Sequence, residues 1–245
     1  MYNVAIFNRK GGVGKSTCAA SLGGMLSRIG HKVLLVDLDS QANLTNSFLA
    51  GPVEEDVSCV YSGAPLPVRQ VSLMMDIVPS SLALAAADYA IAGREDRYCI
   101  LSRALAASGE AYDFAILDLP PAMNHIAVGA VAACDYIISP VLPDLDSLAG
   151  LRLVEEACRF AGKAGGIDGI VISCYSSRRR LDGRVEEVLR GAYGDTVFDT
   201  KIRVCNKLRE CKLERMDIGA FAPNCTGAQD YRCLADEFLK RIQMC

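Results

Sequence analysis

The chain has 245 residues, 51% of them hydrophobic and 22% charged, with no Trp and a formal net charge of −3. That balance excludes disorder, a collagen repeat and a small disulfide scaffold, and the length suits one α/β domain over residues 1–245. No apolar run reaches the ~18–20 residues that span a bilayer, and the N-terminus reads as a strand entering a glycine loop, not a signal peptide; a cytoplasmic protein is expected. The eleven cysteines are odd in number and never spaced Cys-x-x-Cys, and only His31 and His125 could join them. That argues against zinc and for reduced, mostly buried thiols.

Short β-branched runs alternate with longer helical patterns. Strands are predicted over 3–7, 33–36, 76–78, 114–117, 136–139, 169–173 and 196–198. Helices are predicted over 16–29, 82–87, 98–107, 126–133, 148–160, 181–193 and 228–242, with Gly30, Gly109 and Gly194 near helix ends. Most strands are continuously apolar, as strands covered on both faces must be. The pattern predicts a doubly wound, mostly parallel sheet with helices on both faces. Residues 51–67, with three prolines, are the expected irregular excursion or peripheral flap.

After the first strand comes Lys10-Gly11-Gly12-Val13-Gly14-Lys15-Ser16-Thr17, then a helix. Phosphates need converging backbone N–H groups with no side chains in the way, which accounts for three glycines in four positions. Lys15 is the candidate for the β- and γ-phosphates, Ser16 for Mg²⁺ and Thr17 for an inner phosphate. Gly11, Gly12, Val13 and Gly14 complete the ATP-binding loop.

Arg9 stands where the generic P-loop pattern has its first glycine, with Lys10 beside it. The stretch resembles the deviant Walker A group, the ParA/MinD family of P-loop ATPases. That resemblance implies ATP and Mg²⁺ as cofactors and a nucleotide-sandwich homodimer in which Lys10 reaches the partner's ATP.

Two acidic stretches follow strands. Asp37-Leu38-Asp39-Ser40-Gln41-Ala42-Asn43 resembles the family's DxDPQGN segment, with Ser40 for Pro and Ala42 for Gly. The resemblance ties Asp39 to hydrolysis and to the metal-bound water, so that Lys10, Lys15 and Asp39 are the candidate catalytic residues. Asp118-Leu119-Pro120-Pro121 resembles Walker B, with Asp118 as a Mg²⁺ holder and Leu119 departing from the family's DTPP or DCPP.

The likeness covers essentially the whole chain. The family's IPRN stretch, near the adenine in relatives, is altered to Ile202-Arg203-Val204-Cys205, and Pro223 in the closing segment is the base-side candidate. Beginning at its first predicted strand and stopping soon after its last predicted helix, the chain is expected to resemble the short family members, without the helix-turn-helix of larger plasmid ATPases or MinD's membrane helix. Cys99 and Cys134 lie outside the glycine-rich contexts of the nitrogenase iron protein.

Residues 174–216 hold 11 Lys and Arg against seven Asp and Glu, leaving the remainder acidic. Such a segment favours DNA over membrane, although a solvated basic face is the plain alternative. The candidates are Arg190 and Lys207, which match family DNA-binding positions, with Arg178 and Arg203 and a cluster at Lys207, Arg209 and Lys212. The resemblance implies a nucleoid-associated partition ATPase stimulated by a ParB-like protein. A MinD-like membrane switch and an ATPase positioning a protein cargo are the alternatives.

Overall fold

The computed structural model describes residues 1–108, 111–144 and 146–243. The strands are β1 (Tyr2–Ile6), β2 (Val33–Asp37), β3 (Arg69–Ser72), β4 (Met75–Val78), β5 (Phe114–Asp118), β6 (Tyr136–Val141) and β7 (Gly169–Ile172). They form one sheet in the order β3-β4-β2-β5-β1-β6-β7. All neighbours run parallel except the β3–β4 hairpin at the edge. The central strands are apolar at most positions, with Asn3, Asp37, Asp118 and Ser139 as the exceptions, because helices cover both faces.

One face carries α1 (Lys15–Arg28), α8 (Lys207–Leu213), α9 (Ile218–Phe221) and α10 (Thr226–Gln243). Leu22, Met25, Leu26, Tyr231, Leu234 and Phe238 pack there on Val4, Ile6, Leu35 and Ile116. The other face carries α2 (Ser58–Tyr61), α3 (Ala83–Ile91), α4 (Ile100–Ala107), α5 (His125–Ala133), α6 (Ser147–Phe160) and α7 (Arg180–Tyr193). Leu84, Leu101, Ile126, Leu151 and Leu189 pack there on Ala5, Leu34 and Leu117. The doubly wound reading therefore holds.

Four expectations are corrected. Residues 196–198 are not a strand: a 3-10 turn occupies Gly194–Thr196, and only an isolated bridge joins Ile170 to Val197. The ladder cannot extend because the Glu237 carboxylate takes the amides of Asp199 and Thr200 at 2.8 and 2.9 Å. Residues 51–67 are no peripheral flap, since they contain α2 and bury Val57, Val60 and Tyr61 in the core. Strand β3 went unpredicted because its alternating, half-exposed residues carry little apolar signal. Of the ten described cysteines only Cys18, Cys134, Cys158 and Cys211 are buried, so the thiols are not mostly interior. Gly109 and Cys245 lie outside the described residues.

Candidate nucleotide site and basic surface

Strand β1 delivers the glycine loop to the middle of the sheet's carboxyl edge, where open α/β sheets bind ligands. Gly12 and Gly14 sit at φ 77° and 95°, left-handed values that a side chain resists. A Cβ on Gly11 or Gly12 would meet nothing within 4 Å, so both face open space. Helix α1 starts at Lys15 with no side-chain cap, leaving its first amides as free donors at the positive end of a 14-residue helix. Lys15 is 8% exposed. Burial lowers its pKa, against the pull of Asp118 and Asp39.

Asp37 and Asp118 are register partners across the β2–β5 ladder, and both are buried. Asp37 is committed internally: its carboxylate accepts from the Thr45 amide and hydroxyl at 2.8 and 2.7 Å and from the Asp39 amide at 3.1 Å. Burial nevertheless pushes its pKa up to about 6. Asp118 differs, since neither carboxylate oxygen has a hydrogen bond of ordinary geometry. Burial and the Asp37 charge push its pKa well up, against the weaker pull of the Ser16 hydroxyl and Lys15. A buried acid with two open oxygens beside a serine hydroxyl and a lysine fits a hard divalent cation. Asp39 is half-buried, accepts from the Gln41 amide at 3.0 Å and lines the same space. Leu119 is fully buried in the core, so its departure from a polar residue follows from packing.

Lys10 turns out of this space. Its Nζ lies 2.6 Å from Asp144 and 3.7 Å from Asp146, at the start of α6. Its ammonium is thereby held above the usual lysine range, the Asp144 hydrogen bond outweighing burial.

Two cavities meet at the loop. The phosphate side, about 370 Å³, is lined by the loop with Asp39, Gln41, Asn43 and Pro121. The other, about 260 Å³, is lined by Ser173, Cys174, Ile202, Arg203, Cys205 and Tyr231 among others. Gly12, Gly14, Thr17 and Lys212 border both. The smaller cavity alone falls below the usual ligand range of about 300–1,000 Å³ and the larger lies near its lower end, whereas the two joined suffice for a nucleotide. Pro223 is exposed and lines neither cavity. Sequence reasoning missed Ser173, whose buried hydroxyl lacks a partner, along with Cys205, Tyr231 and Lys212. Only the altered IPRN stretch pointed near them.

The basic candidates separate into committed and free charges. Arg190 is held by Glu186 and Asp199, each at 3.2 Å, and donates to the Phe198 carbonyl. Lys207 pairs with Glu210 at 2.6 Å. Arg203 pairs with Asp230 at 2.6 Å and, like Arg209, lines the smaller cavity. Among the described residues Arg178, Arg180, Arg184 and Arg209 are exposed without ion-pair partners.

Residues 1–163 match the family described as an AAA domain. The chain is 36% identical to the chromosome-partitioning ATPase Soj of Thermus thermophilus, covering 98% of this chain and 96% of that protein. It is 31% identical to the sporulation initiation inhibitor protein Soj of Bacillus subtilis, covering 96% of each. A cobyrinic acid a,c-diamide synthase from Mycobacterium smegmatis, solved with an ATP analogue and magnesium, superposes at TM-score 0.85. The identity is 26%, with 99% of this chain and 96% of that one covered. MinD of Pyrococcus horikoshii with Mg-ADP superposes at TM-score 0.79 and 23% identity over 97% of this chain and 95% of that one, a likeness of fold.

Proposed function

The chain belongs to the ParA/Soj family of P-loop ATPases, and from that premise we propose a partition ATPase: it binds Mg·ATP, closes a homodimer, holds DNA without sequence preference and is stimulated by a ParB-like partner. The free amides of α1 and the Lys15 ammonium meet the phosphates. Ser16 and Asp118 hold magnesium, which when bound neutralises phosphate charge. Asp39, which lines the same cavity, orients the attacking water. In the dimer, exposed basic residues from both subunits form one surface on the nucleoid, and each patch raises the effective concentration of the other.

The single observation that carries the dimer reading is the direction of Lys10. A lysine at the head of the loop that leaves its own phosphate cavity is available to a facing one. Lys10→Ala is expected to bind a non-hydrolysable ATP analogue as a monomer yet fail to dimerise in sedimentation. Wild-type dimerisation by that variant overturns the cross-subunit role.

The free charges at Arg178, Arg180, Arg184 and Arg209 support the DNA reading. Because Arg190 and Lys207 already hold carboxylates, Arg178→Ala and Arg180→Ala are expected to have the larger effect. Each is expected to flatten the log–log salt dependence of DNA binding by roughly 1 per subunit, about 2 per dimer. Unchanged slopes on two unrelated duplexes, or preference for anionic liposomes, overturn it in favour of a membrane-surface role.

A further inference from the structure

Lys212 stands in the last turn of α8, in a cluster that the sequence reads as part of a basic surface. The structure turns it inward instead. Its side chain is half-buried, and it borders both the loop's phosphate cavity and the cavity beyond it. Among the described residues its ammonium has no hydrogen bond or ion pair, and its one charged influence from the site is Asp118. Burial lowers its pKa, so the free protein bears the cost of a partly dehydrated cation with no anion in contact. Neighbouring Arg209 and Leu213 remain exposed, so the burial belongs to this position and not to the helix.

The cavity that Lys212 shares with Gly12, Gly14 and Thr17 is the seam between the two spaces. A nucleotide laid across that seam, with its terminal phosphate by Lys15 and Asp39 and its base by Tyr231, puts its inner phosphates there. We propose that Lys212 is a second phosphate-binding lysine, supplied by the same subunit, that contacts the α- and β-phosphates common to ATP and ADP. It therefore sets overall nucleotide affinity and does not discriminate between the two nucleotides. The proposal rests on the ATPase site alone and needs neither the dimer nor the DNA reading.

The test is calorimetric titration of the free protein with a non-hydrolysable ATP analogue and with ADP, both with Mg²⁺ and without DNA. Lys212→Ala and Lys212→Gln are expected to weaken both ligands by similar factors, about 10- to 100-fold. Lys212→Arg keeps the charge and is expected to stay within about 3-fold of wild type. Cooperative thermal melting of the ligand-free variants shows that the fold survives. Unchanged affinities in the Ala and Gln variants overturn the proposal. So does a loss confined to the ATP analogue, which places Lys212 at the γ-phosphate. A failure of DNA binding or dimerisation in other variants leaves these constants untouched.

Discussion

If Lys10 must cross to a facing nucleotide, it must first leave Asp144. The Asp144→Asn variant isolates that cost. Asp144 contacts Lys10 through Oδ2, while its Oδ1 accepts from the Asp146 amide at 3.2 Å and the Ser147 hydroxyl at 3.0 Å. Asparagine keeps the Oδ1 acceptor and removes the charge, so the start of α6 survives. The pair is partly exposed, with side-chain exposures of 32% and 34%. An ion pair so placed contributes about 1 kcal/mol, and two are broken per dimer, about 2 kcal/mol in all. The ATP-analogue dimer of Asp144→Asn is therefore expected to be about 30-fold tighter than wild type.

Sedimentation equilibrium with the analogue and Mg²⁺ measures the difference directly. The advantage is expected to shrink near 1 M salt, where the screening length falls to about 3 Å. Burial raises the Asp144 pKa, but the Lys10 and Ser147 hydrogen bonds outweigh it and hold the carboxyl below its usual value. A depressed carboxylate contributes above its unfolded pKa and loses that contribution as pH falls through the folded one. The effect is therefore expected to be flat across neutral pH. A variant dimer no tighter than wild type refutes the reasoning and makes Asp144 a guide that aims Lys10.

Three further outcomes follow from the buried acids and the loop between them. Asp37 has a pKa raised to about 6, first by burial, so it favours the folded state less as pH rises from its unfolded value toward 6. Without nucleotide or Mg²⁺, wild-type stability relative to Asp37→Asn is expected to fall by about 3 kcal/mol over that window and to level off above it; a rise counts against the assignment. Asp118→Asn removes a buried charge that no hydrogen bond of ordinary geometry compensates and is expected to stabilise the free protein by about 1 kcal/mol while abolishing Mg²⁺-dependent nucleotide affinity. Lower stability in chemical denaturation would show that Asp118 is structurally satisfied. Ala42, at φ 53°, tolerates a left-handed backbone that a β-branched residue does not, so Ala42→Val is expected to lose about 1–2 kcal/mol in thermal unfolding. Equal stability would show that the loop readily adopts another conformation.

The parts of this fold legible in the sequence were those whose signals are local. Continuous apolar runs marked the central strands, and three glycines beside a lysine marked the phosphate loop, because those residue types serve the backbone within a few positions. Asp37 and Asp118 were legible as strand-end acids, but not as different in kind. What separates them is Thr45, whose amide and hydroxyl occupy Asp37 and leave Asp118 open. Strand β3 and helix α9 were missed because four-residue elements carry too few apolar positions to show a period. Pro223 was placed by likeness to a closing segment, whereas the smaller cavity is assembled from residues brought together only by folding. Lys212 looked like its charged neighbours because one-dimensional spacing does not record which way a short helix faces.

Several local costs of this fold point to one place. Asp118 is buried with two open oxygens beside a second buried acid, and the Ser173 hydroxyl is buried without a partner. Lys15 and Lys212 are both shifted by burial toward losing their charge. Among the described residues the non-glycine residues with left-handed backbones are Ala42, Cys174 and Arg215, each costing about 1 kcal/mol or more. Cys174 lines the smaller cavity, and the other two lie within three residues of Gln41 or Lys212, which line the larger. Ordinary stability selection would remove such terms, since a neutral or apolar residue at several of these positions would fold more stably. A polyphosphate and a divalent cation supply the missing anion, cation and acceptors together, so the same binding event offsets most of these costs. The free protein thus carries a cluster of unsatisfied groups around the loop, which gives nucleotide binding leverage over its conformation there.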